Sequence, residues 1–345
     1  MSSDEWTIIT KSNARNRKQK KGAAQACPGL YRSNNHVAAA QHGDVDSKSK
    51  EQIQNAIIDC INSLERQYQS GKGFAYRLID AISSDADNFH LNEIVVYGIG
   101  NFSTELYSPS MLQLAGALLL RRLVAAKFSN DSDGTNAATN QKDGDVSFRQ
   151  DQQRVPIYYY EPCIVGAEKE MLQEVFCVHT LENNDMGKLP VFNMRQNNAT
   201  ALQQDAEKNG GSRYTLFYMP HCPMRLYCNV IWAHWDHICI SEMVNSRFHP
   251  IMIFGNSFHA YDERMISSDQ RMDPTNGMLR LVPFINEKSV YISSENRDLE
   301  DSLRMMDRAF NDCNVISFSV DKDFVVEKPT EYVPSDDPYQ NGELL

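Results

Sequence analysis

Met219-Pro220-His221-Cys222-Pro223 sets an imidazole and a thiol side by side between two stiffening prolines. His221 could serve as a general base and Cys222 as a nucleophile, above all if a helix N-terminus lowered the thiol pKa. Neighbours on an extended segment point to opposite sides, so these two would not work as a pair with each other. The sequence offers no third group to orient them. It also holds no Ser-His-Asp arrangement, P-loop, or kinase or protease signature. No catalytic residue is assigned; the block reads as a ligand contact or a structural corner.

A second block, Ile94 to Ser103, contains Gly98-Ile99-Gly100-Asn101. The glycines permit a tight turn and a close approach of ligand to backbone. The third glycine of a dinucleotide fingerprint would fall where this chain has Ser103. Glu161 ends the next apolar run, at the place where nucleoside-binding sheets grip a ribose. Asn256-Ser257 closes a further apolar run and is expected to face the same crevice as Asn101 and His221. The candidate ligand contacts are therefore Gly98, Gly100, Asn101, Ser103, Glu161, His221, Cys222, Asn256 and Ser257. They permit an adenosyl or nucleotide ligand without requiring one, and they name no cofactor.

Three other clusters have plainer readings. His221, Cys222, Cys228, His234, His237 and Cys239 lie close in sequence, but their spacing fits no usual zinc pattern and Trp232 and Trp235 interleave as core residues would. No metal ligand is assigned. Tyr158-Tyr159-Tyr160 could stack a base, but a buried strand suits a run that leads straight into a corner. Glu168, Glu170 and Glu174 read as the solvated face of a helix.

The elements that must position these residues alternate between strand and helix. Ile53, Ile57, Ile61 and Leu64 make one apolar face of a helix that starts near Ser49 and ends at Gly71 and Gly73. A second helix spans 74–82. Strands are expected at 93–97, 156–160, 177–181, 214–219, 251–254 and 315–318. Helices are expected at 108–127, with Ser108 as N-cap and Pro109 in the first turn, and at 166–176, 223–235, 236–245 and 298–310. Continuous apolar strands alternating with helices imply an α/β fold: a Rossmann-like open, mostly parallel sheet covered by helices on both faces. Residues 1–48 read as a disordered basic arm, 49–325 as the domain, and 326–345 as an acidic, disordered tail. Flexible insertions are expected near 129–153 and 195–212.

The chain has 345 residues, 41% of them hydrophobic, enough for one large core. Its longest apolar run, Met111 to Leu120, is interrupted by Gln113 and followed by Arg121-Arg122, so no membrane span is expected. The N-terminus has no apolar signal core. Eight cysteines without Cys-x-x-Cys pairs suggest reduced thiols in the cytosol or nucleus. The net charge is −11, yet residues 1–22 carry six basic side chains against Asp4 and Glu5. The body is thus acidic and a poor general partner for nucleic acid. The arm reads as an import signal, a polyanion contact or a solvated extension.

Several blocks in a fixed order carry a resemblance. They are Val95 to Ser103, Gln113-Leu114-Ala115, Tyr160-Glu161-Pro162 with Glu168, Phe217 to Pro223 with Leu226-Tyr227 and Asn229, and Ile253 to Phe258 with Tyr261. Together they resemble the SRR-like family (sensitivity to red light reduced). The resemblance implies a regulator: circadian-clock input and light signalling in plants, clock-gene expression and haem-biosynthesis regulation in animals, in cytoplasm and nucleus. It carries over no catalytic residue. Action through an unidentified small ligand or protein partner at the strand-end crevice is the expectation. Cys222-Pro223 is also a dipeptide able to offer a thiolate to haem iron. The alternative is an S-adenosylmethionine- or nucleotide-dependent transferase using the same crevice. One departure is His234, where the family pattern has Asn before the Trp.

Overall fold

The computed structural model describes residues 49–84, 90–130, 148, 151, 154–189, 213–239, 250–265, 273–290, 301–319 and 326–333. The basic arm, the 195–212 insertion, and most of the 129–153 insertion and of the tail lie outside these residues.

Seven strands form one sheet: β1 (His90–Tyr97), β2 (Ile157–Tyr160), β3 (His179–Thr180), β4 (Arg213–Met219), β5 (Ile251–Asn256), β6 (Ile285–Ser289) and β7 (Cys313–Phe318). Their order is β3-β2-β1-β4-β5-β7-β6. The pairs β1–β2, β2–β3, β1–β4 and β4–β5 are parallel, whereas β7 runs antiparallel to both β5 and β6. The sheet is therefore open and mostly parallel. The chain moves outward one way from β1 to β2 and β3, and then returns to the other side of β1 with β4. The gap between β1 and β4 at the strands' C-terminal ends is the topological switch point, where open α/β sheets bind ligands.

Alternation along each strand divides the core into two layers. Ile94, Val96, Leu216, Tyr218, Met252 and Phe254 face one cluster; Val95, Tyr97, Phe217, Met219 and Ile253 face the other. The first layer is covered by α1 (Lys50–Gln69), α2 (Gly73–Ser83), α3 (Pro109–Asn130), α4 (Gly166–Glu174) and α9 (Asp301–Phe310). The second is covered by α5 (Met224–Ala233), α6 (Trp235–Cys239), α7 (Phe258–Arg264) and α8 (Gly277–Leu281). Each fully buried Leu, Ile or Phe in these layers contributes about 1.5–3 kcal/mol relative to exposure.

Local signals explain the helix starts. Ser49 and Gln52 form a reciprocal capping box on α1. The Ser108 hydroxyl accepts the Met111 N–H at 3.2 Å, and Pro109 opens α3 where its missing N–H costs nothing. No helix among the described residues is long and apolar enough to cross a membrane.

Four features differ from the sequence expectation. β3 is only two residues long. β6 was not expected: Ile285-Asn286-Glu287-Lys288-Ser289 has no apolar run, because it forms an edge strand beside β7. Residues 326–333, placed in the tail by composition, lie along the domain. There the Arg225 guanidinium sits 4.1 Å over the Tyr332 ring, Lys328 sits 4.8 Å over Trp232, and the Thr330 N–H donates to the Pro274 carbonyl. Within the expected 129–153 insertion, Phe148 is buried edge-to-face on Phe176.

Candidate functional site

Two chain reversals meet at the switch point. The first is the loop after β1. Gly98 and Gly100 both adopt left-handed backbone, with φ of +67° and +83°. This loop would expose a row of backbone N–H groups, as phosphate-binding loops do. Here two carboxylates take them. Glu161 Oε2 accepts from the Gly100 N–H at 2.8 Å, and its Oε1 accepts from the Cys163 N–H at 3.1 Å. Glu168 Oε1 accepts from the Phe102 and Ser103 N–H groups at 2.8 and 2.7 Å, and its Oε2 from Val165 at 3.3 Å. Both side chains are buried. Burial pushes the Glu161 carboxyl above its ordinary pKa. The N–H groups of Cys163 and Gly100 pull it partly back, and the nearby Glu168 pushes it up again.

Glu168 corrects the sequence reading. Its spacing with Glu170 and Glu174 reads as a solvated helix face. It instead occupies the first turn of α4 and turns inward, where it accepts from three backbone donors. Glu170 and Glu174 are exposed, as read.

The second reversal follows β4 and is held by neutral groups. His221 is exposed and adopts φ +56°, a conformation costly for an L-residue. Its N–H donates to Asn256 Oδ1 at 3.0 Å. Asn256 Nδ2 donates to the Cys222 carbonyl at 3.3 Å and to the Tyr261 hydroxyl at 3.0 Å. The buried Tyr227 hydroxyl donates to the Met219 carbonyl at 2.5 Å and accepts the Asn256 N–H at 2.9 Å. Gly255 leaves room for that hydroxyl, since a Cβ there would lie 2.4 Å from it.

Cys222 joins the two reversals. Its Sγ lies 3.3 Å from the Tyr97 carbonyl oxygen, and a Cβ on Gly98 would approach it to 2.6 Å. The thiol is buried, and burial, with Glu161 and Cys313 nearby, holds its pKa well above the ordinary value. Burial thus opposes the thiolate that a nucleophile or a haem ligand would need. The His221 residue keeps an exposed edge, but its imidazole lies against the Ala309 and Arg308 carbonyls and Asp312; this partial burial lowers its pKa, and those same groups raise it in part.

With this geometry in place, comparison with known proteins decides the family. The SRR1 domain model matches residues 60–317, which is most of the chain. This chain belongs to the SRR1 domain family. An SRR1-like protein of Mus musculus is 31% identical over 64 residues, covering 19% of this chain and 22% of that protein. Protein SENSITIVITY TO RED LIGHT REDUCED 1 of Arabidopsis thaliana is 25% identical over 173 residues, covering 50% of this chain and 42% of that protein. The matches therefore span less than half of either relative. No solved structure matches.

The SRR1 domain brings most of the expected site residues to one rim, but in two groups. Gly98, Gly100 and Glu161 belong to the first reversal, and His221, Cys222 and Asn256 to the second. Asn101 is turned back on its own loop, where its Oδ1 accepts from the N–H groups of Ser103 and Thr104 and from the Ser103 hydroxyl at 3.0–3.2 Å. Ser103 is engaged in that same turn. Ser257 caps α7, its hydroxyl accepting the Ala260 N–H at 2.9 Å. His234, expected in neither group, lies buried against Phe217, with Nδ1 2.8 Å from the Val230 carbonyl. Burial lowers its pKa to about 4. Among the described residues no three His, Cys, Asp or Glu side chains gather as they would around a metal ion. Sequence reasoning gave no role to Glu168, Tyr227 or Tyr261. All three stand inside the blocks that carry the family likeness, which was the signal for them.

Proposed function

We propose that this SRR1-domain chain is a regulatory protein of a light-response or circadian-clock input pathway, acting by binding a small ligand or partner at the strand-end rim. Family membership supports the regulatory part, and the Arabidopsis relative is named for reduced sensitivity to red light. The observation that carries the rim is His221. An imidazole with an exposed edge is held in left-handed backbone by Asn256, two residues past the end of β4 at the switch point. Strain of this kind persists where the surroundings over-determine it, and it concentrates at functional sites.

In this reading the chain works in cytoplasm and nucleus, with the basic arm serving import. Its effect reaches clock-gene expression and haem biosynthesis through the bound partner or ligand. Direct iron ligation by Cys222 is disfavoured by the sealed thiol.

His221→Gly in the full-length protein tests this. Glycine relaxes the backbone, so the melting temperature is expected to hold or rise by the equivalent of about 1 kcal/mol. The light response or rhythm of cells carrying only this variant is expected to fail as in a deletion. Normal rhythm with the variant, or loss of function in step with loss of melting temperature, would sink the reading.

A further inference from the structure

The ligand class can be narrowed from the fold and from unfilled hydrogen-bonding capacity along the rim. The nucleotide-binding order of open α/β sheets places a sixth parallel strand after the fifth. Here an antiparallel strand, β7, is inserted between β5 and the edge strand β6. That variant order is the one on which Rossmann-like S-adenosylmethionine-dependent methyltransferases are built. Strand order is an analogy of fold and supplies only the sulfonium half of the assignment; the groups at the site carry the adenosyl half.

The first observation concerns phosphate. The loop N–H groups of Gly100, Phe102 and Ser103, which would cradle a pyrophosphate, already donate to Glu161 and Glu168. A phosphate would have to displace a buried carboxylate and then face the charge of its neighbour. The rim therefore rejects di- and triphosphates and favours neutral or cationic ligands.

The second observation concerns ribose. A carboxylate has about four lone-pair sites. Glu161 uses two, one on each oxygen, although it is only 3% exposed. Each oxygen keeps one acceptor site free, which suits the two vicinal hydroxyls of a ribose. Glu168 has three of its four sites filled.

The third observation is independent of the acidic pair. Asn184 lies three residues beyond Leu181, whose N–H extends the β2–β3 ladder by donating to the Tyr159 carbonyl. It thus follows β3 at the same end of the parallel strands at which Glu161 follows β2. It is 1% exposed, and neither its Oδ1 nor its Nδ2 has a hydrogen-bond partner among the described residues. A buried amide left unpaired costs stability, and a ligand that supplies a donor and an acceptor would remove that cost. An Asn amide pairs bidentately with the donor and acceptor edge of adenine.

We propose that the rim binds a phosphate-free adenosyl ligand of the S-adenosylmethionine class, with Glu161 on the ribose diol and Asn184 on the adenine edge. This rests on the ligand-binding reading above and adds the chemical class.

Calorimetry and thermal shift on the full chain would test it with S-adenosylmethionine, S-adenosylhomocysteine, adenosine, ATP and NAD. The two sulfur-containing ligands are expected to bind and to raise the melting temperature with concentration, while ATP and NAD do neither. Glu161→Gln is expected to weaken binding at least tenfold. Asn184→Leu guards against a folding artefact. It removes an unpaired buried amide, so the free protein should melt at the same or a higher temperature while binding falls at least tenfold. ATP or NAD binding as well as S-adenosylmethionine, adenosine binding equally tightly, or unchanged affinity in both variants would overturn the assignment. If neither sulfur compound binds but mass spectrometry finds another molecule that copurifies with wild type and is lost in His221→Gly, the adenosyl class falls and the rim reading stands. If nothing binds and His221→Gly supports normal rhythm, both fall.

Discussion

The loops after β1 and after β4 sit side by side at the same switch point, yet they satisfy their backbones in opposite ways. The β1 loop is closed by two buried carboxylates, Glu161 and Glu168, that reach across from the end of β2 and from α4. The β4 corner is closed by an amide and two phenols, Asn256, Tyr227 and Tyr261. Charged acceptors make stronger hydrogen bonds and cost more when removed. Neutral groups hold a shape without imposing a field. The pair therefore gives the rim one side that selects by charge and one that presents an imidazole with an exposed edge in fixed position.

The largest expected effect comes from breaking the charged side. Glu168→Ala strips the acceptor from the Phe102, Ser103 and Val165 N–H groups at once and should cost roughly 3–5 kcal/mol, read by denaturant unfolding. Asn256→Ala, the matching cut on the neutral side, should cost about 1–3 kcal/mol. Equal losses would show that charge makes no difference between the two loops. Next in size is the seam between them. Gly98→Ala combines left-handed backbone with a Cβ 2.6 Å from Cys222 Sγ, and should cost about 2–4 kcal/mol. In the double variant with Cys222→Ala the steric share should return and the backbone share remain, so the two changes would be non-additive by about 1–2 kcal/mol. Strict additivity would mean that the loops do not touch in solution.

Much of this scaffold was legible in the chain itself. The caps at Ser49 and Ser108 and the apolar runs of β1, β4 and β5 are local signals, and the structure follows them to within a few residues. The reversal of β7 was not legible, because strand direction is settled by pairing with β5, far away in sequence. β6 was missed because a short edge strand needs no apolar run. At the site, the glycines and Glu161 announced themselves by type and position. Glu168 did not, because its spacing with Glu170 and Glu174 looks like any solvated face, and only the position of the β1 loop turns it inward. Asn184, in the polar run Glu182-Asn183-Asn184-Asp185, looked like loop filler.

The smallest effect separates the loops by pH. Glu161 has a folded-state pKa raised above its ordinary value, so the native protein takes up a proton before the unfolded chain does. Stability contributed through this group therefore rises as pH falls through the folded pKa and levels off below the unfolded one, near 4.5. Wild type should gain on Glu161→Gln as pH is lowered through that window. The difference between wild type and Asn256→Ala should stay flat over the same range, since Asn256 does not titrate. Parallel slopes for the two variants would mean that Glu161 meets solvent freely. In that case the β1 loop would be no more closed by its carboxylate than the β4 corner is.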